Sequence, residues 1–395
     1  MKRLGIYYAT ACYSDEQGRY YTSPGLGIYL QLLNRMFPFE VVLVAPVTRQ
    51  PLPHLKYSLP ESRVAVYELP YFETFVGAVR VRNQLIKRMR KFFSQHAVDV
   101  MWLRYPGAYA TELWLKCRRL GIPCFYEAVG DTVQQFELLA KTKPLVGHIQ
   151  LLVARWHEWE MRRIATTTPC IAVAPSLARK LGNQVVWFPA STLTQDDFFY
   201  RRDTCQNPII QVLFVGGFVR MKSVETLIDA IGIMQQQNLP VYLNLVGDGE
   251  LRRSLQQRAQ NTLKPHSFRF HGYITDRQKL LTIYRQSDIF AMSSLTEGFP
   301  RVILEAFANG LPVVATNVAG VPDIVKHGES GLLVQPLEPG LLAASIQRVI
   351  EDAQLRQRVI AGGYEIARVY TAEAFLSQVI SFVHSRLNVN LLSEE

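Results

Sequence analysis

The chain has 395 residues, 48% of them apolar and 19% charged, a composition that describes a soluble globular protein with ample core. No apolar run approaches the ~18 residues that a membrane-spanning helix needs, and the length sets an expectation of two domains. The net charge of +10 is uneven: residues 1–195 hold 24 Lys and Arg against 13 Asp and Glu, whereas residues 196–395 hold 19 against 20. The five cysteines are scattered without metal-ligand spacing and read as free thiols. The start, basic at Lys2 and Arg3 and then briefly apolar, lacks the long apolar stretch of a signal peptide. A cytoplasmic protein is the expectation.

Strand-like runs occur at 3–8, 41–45, 63–68, 98–103, 124–127 and 170–174, with helical patterns after most of them, including 151–164. A glycine loop, Pro24-Gly25-Leu26-Gly27, precedes the helical spacing Ile28, Leu32, Leu33 and Met36. Its amides are candidates to approach a phosphate. Residues 77–98 contain six basic side chains and no acidic one, with Val81, Leu85, Ile86, Met89, Phe92 and Phe93 at helical spacing. Such a basic amphipathic helix either lays its apolar side on the core or docks on an anionic membrane surface. No aromatic-basic platform or finger spacing accompanies the charge, so nucleic acid is not an expected partner.

Residues 189–193 and the polar stretch 201–208 read as a linker. Beyond it, strands at 210–215, 241–246, 288–292, 312–315 and 332–334 alternate with helical patterns. One pattern runs through Val224, Leu227, Ile228, Ile231 and Met234, another through Leu280, Leu281 and Tyr284. This rhythm predicts a right-handed, doubly wound parallel sheet. A final helix is expected over 372–387.

The most informative segment begins at Ser293 and includes Glu297-Gly298-Phe299-Pro300-Arg301 and, eight positions after Glu297, Glu305. Pro300 suits the first helical position and Gly310 the residue past the helix end. Glu297 is thus expected in a loop and Glu305 within the following helix. The amides of Phe299 and Arg301 are then candidates for an anion at the carboxyl edge of a parallel sheet.

This segment resembles the S-x-x-E-G-F-P-x-x-x-x-E-A signature of the retaining glycosyltransferases of family 4, the group 1 glycosyl transferases. The resemblance continues through Gly320 to Asp323 and His327 to Val334, and backward through Phe270 to Tyr273, Gly247 to Glu250, and Gly216, covering about half the chain. It implies the GT-B architecture: two Rossmann-like doubly wound α/β domains facing across a cleft. The expected boundaries are 1–195 for an acceptor domain, 205–370 for a nucleotide-sugar donor domain, and 371–395 for a helix returning to the first.

Roles follow from the same resemblance. Lys222, six residues after Gly216, is expected to stabilise the departing diphosphate, with Arg220 as a second cation and Gly216 and Gly217 forming the turn. Glu305 is expected to accept hydrogen bonds from the ribose hydroxyls, because one carboxylate can serve both. Glu297 would lie near the donor sugar, Gly298 to Arg301 around the sugar and phosphate, and Tyr273 and Ile274 along the base. Gly25 and Gly27 would reach the donor phosphate. The expected partners are a nucleotide-sugar donor and a glycan or lipid acceptor, with no metal and no other cofactor. No Asp-x-Asp triplet occurs in the chain.

The chain also departs from the pattern. The arginine usual after the first glycine of the turn is Gly217. The usual glycine after the lysine is Ser223, which can cap the helix starting at Val224. The usual histidine near the acceptor is absent from Glu127-Ala128-Val129-Gly130-Asp131, leaving Asp131 as the acceptor-side catalytic candidate. Two other readings therefore stand beside a transferase: a nucleotide-sugar-binding partner without activity, and a sugar-nucleotide epimerase of the same architecture.

Overall fold

Strands buried on both faces give continuous rather than alternating apolar runs, and this chain is built from them. Val212, Leu213 and Phe214 are all buried, as are Ile289 to Met292 and Val313 to Ala315. The structure, a computed structural model, describes residues 1–393 except 53, 73–74, 130–132, 134–143, 174 and 298. Asp131 and Gly298 therefore lie outside the described residues. The chain divides into two units: Met1–Thr192 with Ala372–Glu395, and Leu193–Thr371.

The second unit holds a six-stranded sheet. In spatial order its strands are Phe268–Gly272, Val241–Val246, Ile210–Val215, Ile289–Met292, Val313–Thr316 and Leu332–Val334, and every adjacent pair is parallel. By sequence rank the order is 3-2-1-4-5-6, the doubly wound dinucleotide-binding order, and it reverses between Ile210–Val215 and Ile289–Met292. Loops at the carboxyl ends of those two strands flank the crevice where ligands bind in such sheets.

The stretch 201–208, read from sequence as linker, is fastened into this unit. The Arg356 guanidinium contacts Asp203 at 2.6 and 3.1 Å, and Tyr364 Oη donates to the Phe199 carbonyl at 2.7 Å. Asp203 thus pairs with the buried Arg356, while Arg202 and residues 206–208 stay exposed.

Among the described residues the first unit has ten strands. Its parallel core runs Val186–Trp187, Cys170–Ala172, Cys124–Ala128, Val100–Tyr105, Arg3–Tyr7, Glu40–Thr48 and Val64–Leu69. Short strands at Cys12–Ser14, Tyr20–Thr22 and Tyr57–Ser58 extend it, with antiparallel pairings among themselves. At two or three residues each, they carry no readable periodicity. The helix Ala372–Leu387 packs within this unit, where Phe375 stacks on Tyr29 at 5.3 Å and lies 6.2 Å from Trp102.

The basic segment forms two helices, Phe75–Arg80 and Arg82–Gln95, instead of one. Leu85, Met89 and Phe92 are buried, and Arg82, Lys87, Arg88, Arg90 and Lys91 are exposed. In Arg82–Gln95 the apolar side is therefore committed to the core and the outer face is basic and polar, whereas Val79 of the shorter helix is 52% exposed. Among the described residues no helix is long and apolar enough to cross a membrane.

Two loops of the second unit meet backbone to backbone. Gly247 has φ +143°, and a Cβ there would lie 1.9 Å from the Gly216 carbonyl oxygen. A Cβ on Gly217 would find no atom nearer than 3.9 Å. Gly247→Ala is therefore expected to cost more than ~2 kcal/mol and Gly217→Ala less than ~0.5 kcal/mol, as read from denaturant midpoints.

Candidate functional site

The site begins with a turn. After Ile210–Val215 the chain passes Gly216 and Gly217 and forms a single 3-10 turn, Arg220–Lys222. Ser223 follows in the left-handed region at φ 44°, and the helix Val224–Gln236 begins. Ser223 does not cap this helix through its side chain, as its sequence position suggests. Its Oγ pairs with Thr226 Oγ1 at 2.9 Å, and the N-cap lacks a side-chain hydrogen bond to a backbone amide.

The neighbouring strand, Ile289–Met292, leads into Ser293, Ser294 and the Glu297 loop. Buried hydroxyls fasten this loop to the turn. Ser293 Oγ donates to the Ser223 carbonyl at 2.8 Å, and Leu295 N donates to the Met221 carbonyl at 2.8 Å. Thr316 Oγ1 holds the Ser294 carbonyl at 2.6 Å from the next strand. Each such bond contributes about 1 kcal/mol net, and together they fix the loop's position.

The result is an ion pair between residues far apart in sequence. Lys222 Nζ lies 2.5 Å from Glu297 Oε1, and Ser294 Oγ donates to the same oxygen at 2.6 Å. Glu297 is nearly buried, and Lys222 is partly open to solvent. Arg220 is exposed on the same turn. Sequence reasoning named both members of the pair but missed Ser294, whose signal was its place just beyond the strand.

Pro300 is the N-cap, and the helix is Arg301–Ala308, one residue later than the proline rule predicts. Arg301 N donates to the Phe299 carbonyl at 3.0 Å, so this amide is not left for an anion as the sequence suggested. The Phe299 ring packs against Tyr370 at 5.6 Å. Gly310 stands just past the helix end at φ +64°.

Glu305 sits half-buried in this helix and accepts a hydrogen bond from Tyr284 Oη at 2.9 Å. Burial raises its pKa above the ordinary carboxylate value. The hydrogen bond from Tyr284 and the charges of Arg277 and Arg301 oppose that rise without cancelling it. Tyr284 is fully buried, and its own pKa rises through burial and the adjoining carboxylate. In the sequence Tyr284 stands only as a helix marker, because nothing local reveals its partner 21 residues on.

Tyr273 and Ile274 follow the strand Phe268–Gly272, with Tyr273 exposed. His271 has a structural place, 2.9 Å from Asn244 Oδ1. Burial and the nearby Arg269 and Lys279 lower its pKa.

In the first unit, Pro24-Gly25-Leu26-Gly27 is not a loop before a helix but the first turn of the helix Pro24–Met36. Gly27 N donates to the Ser23 carbonyl at 3.0 Å. A Cβ on Gly27 would lie 2.1 Å from the Tyr57 ring, so close packing accounts for that glycine. Gly25 has only Thr192 near its missing Cβ, at 3.6 Å. Glu127, just before the Asp131 region, is buried, held by Trp102 Nε1 at 3.0 Å, and raised in pKa by that burial.

Comparison with known proteins bears on the fold. Residues 206–366 match the family model for glycosyl transferases group 1. The lipopolysaccharide core biosynthesis glycosyltransferase LpsE of Rhizobium meliloti is 34% identical over 44% of this chain and 50% of its own, so the chain spans about half the length of that relative. The phosphatidyl-myo-inositol mannosyltransferase of Mycobacterium leprae is 26% identical over 82% of this chain and 83% of its own. The Anabaena protein HepE, solved with UDP and glucose, superposes with a TM-score of 0.66 at 18% identity, covering 98% of this chain and all of that one. The fold is GT-B, and residues 206–366 are similar to the group 1 glycosyl transferases.

The raised pKa of Glu305 has a stability consequence. Ionising it costs more in the folded than in the unfolded chain, so its contribution is fully present below the unfolded carboxylate range and is lost as pH rises through the raised value. Glu305→Gln still accepts from Tyr284 but cannot ionise. Its melting temperature should exceed the parent's by a few degrees at neutral pH and converge with it below about pH 4.

Proposed function

We propose that this chain is a retaining, metal-independent glycosyltransferase that moves a sugar from a nucleotide diphosphate-sugar to a glycan or lipid acceptor. The observation that carries the reading is the Lys222–Glu297 pair at the carboxyl ends of the two strands where the sheet order reverses. Beyond those strand ends lies the crevice where such sheets take nucleotides.

In this reading Lys222 meets the diphosphate as its charge grows, favouring the transition state over the ground state. Glu297 holds the ammonium in place beforehand and lies close to the sugar. Glu305 accepts from the ribose hydroxyls. The bond from the anomeric carbon to the diphosphate oxygen breaks while the acceptor oxygen bonds on the same face. A phosphate oxygen takes the acceptor's proton, so the reaction needs no metal. Gly217 leaves the turn without the usual arginine, and Arg220 is the nearest basic side chain in sequence able to supply that charge. The exposed basic face of Arg82–Gln95 supports peripheral attachment to an anionic membrane by charge alone, on the cytoplasmic side.

Thermal melting with uridine, guanosine and adenosine diphosphate-sugars tests the donor site. One class should stabilise the protein, by ~2.7 kcal/mol at 100 times its dissociation constant. Glu305→Ala and Lys222→Ala should abolish that stabilisation and the transfer reaction. Transfer that survives in both variants overturns the assignment, and transfer lost on adding a chelator overturns metal independence.

A further inference from the structure

The first unit contains a cavity that the donor reading does not use. It opens beyond the carboxyl end of Val100–Tyr105 and has a volume of about 780 Å³. Small-molecule sites span ~300–1,000 Å³, mostly apolar with a few converging polar groups.

Its walls divide by chemistry. Tyr105, His157 and Glu160 line one part. Tyr105 Oη is 2.8 Å from His157 Nδ1 and also donates to Glu160 Oε2. Burial alone would favour the protonated acid of Glu160, but hydrogen bonds from His157, Tyr105 and Thr111 more than offset it and lower the pKa. The carboxylate stays ionised at neutral pH, with acceptor capacity for hydroxyl groups.

Phe72, Val79, Leu115 and Trp156 form an apolar wall, with Arg82 and Glu112 also in the lining. Three of these apolar side chains are open to solvent: Trp156 is 53% exposed, Val79 52% and Leu115 41%. Trp156 belongs to the helix Pro144–Ala165, on which Leu152, Val153 and Trp159 are exposed as well. Leu152, Trp156 and Trp159 are four and three residues apart, so they form one row that includes Trp156 of the cavity. Concentrated apolar exposure of this kind marks a binding surface.

We propose that this cavity binds the acceptor, and that the acceptor is amphiphilic. Its hydroxyl-bearing head meets Glu160 and His157, and its hydrocarbon part runs along Val79, Leu115 and Trp156. Neither end alone accounts for the walls. A purely polar glycan would leave three large apolar side chains in water, and a purely apolar ligand would strip water from an ionised carboxylate. The inference rests on the transferase reading for the word acceptor, but the binding it describes does not require donor.

The probes are n-alkyl β-glucosides, from methyl to octyl, titrated below their micelle concentrations into the full chain without nucleotide-sugar and followed by tryptophan fluorescence. Affinity should rise about fourfold for each added methylene. Val79→Asp and Leu115→Asp lie at exposed positions and should keep the parent melting temperature while flattening the dependence on chain length. Glu160→Gln should weaken every member of the series by a similar factor. Affinity that ignores alkyl length, length dependence that persists in both aspartate variants, or no binding by any glucoside would overturn the proposal. A chain that binds a nucleotide-sugar but no alkyl glucoside fails this inference alone. One that binds the glucosides but no nucleotide-sugar fails the transferase reading alone.

Discussion

The adjacency of Ile210–Val215 and Ile289–Met292 is the constraint on which the second unit's chemistry depends. Parallel pairing, with Val212 opposite Ile289 and Leu213 opposite Phe290, sets both strands' carboxyl ends on one edge. Each chain then leaves the sheet in the opposite direction around it, because the strand order reverses there. Residues 75 positions apart, Lys222 and Glu297, meet as a consequence. No local preference of either segment could bring them together.

What keeps them together is a set of hydroxyl groups. Ser293, Ser294 and Thr316 are buried, and each hydroxyl makes a hydrogen bond to loop backbone or to the carboxylate itself. A loop held this way can keep an acidic and a basic side chain in contact without an extensive apolar core beneath them. Glu305 shows the opposite economy. Its helix buries Ile303, Leu304, Ala306 and Phe307 around it, and the same burial makes its charge costly. The carboxylate is tolerated because Tyr284 supplies a donor from inside the core.

The sequence disclosed the parallel strands well, because runs such as 210–215 and 241–246 are apolar throughout and separated by helical periodicity. The glutamate pair, the lysine turn and the helix end at Gly310 were legible because each rests on chemistry local to a few residues. Long-range effects were not legible. The Arg301 amide looked available until the chain folded back on Phe299, and Ser223 looked like a cap until its left-handed backbone aimed the hydroxyl at Thr226. Gly27 looked like a phosphate contact, but its missing side chain makes room for Tyr57, 30 residues on. The Tyr105–His157–Glu160 group was invisible for the same reason, since its members come from a strand end and a helix more than 50 residues apart.

The two units differ in how they can be made. The second is one continuous stretch, Leu193–Thr371, and has all its strands once residue 334 is in place. The first is interrupted: Tyr29, Trp102 and Phe125 share a core cluster with Phe375, Val379 and Phe382, which come after the whole of the second. On a ribosome adding residues from the N-terminus, that apolar face stays uncovered until Ala372–Leu387 emerges. The unit synthesised first is thus the last to finish folding. Shortening the chain at its far end would expose hydrophobic surface near its beginning, leaving the middle intact.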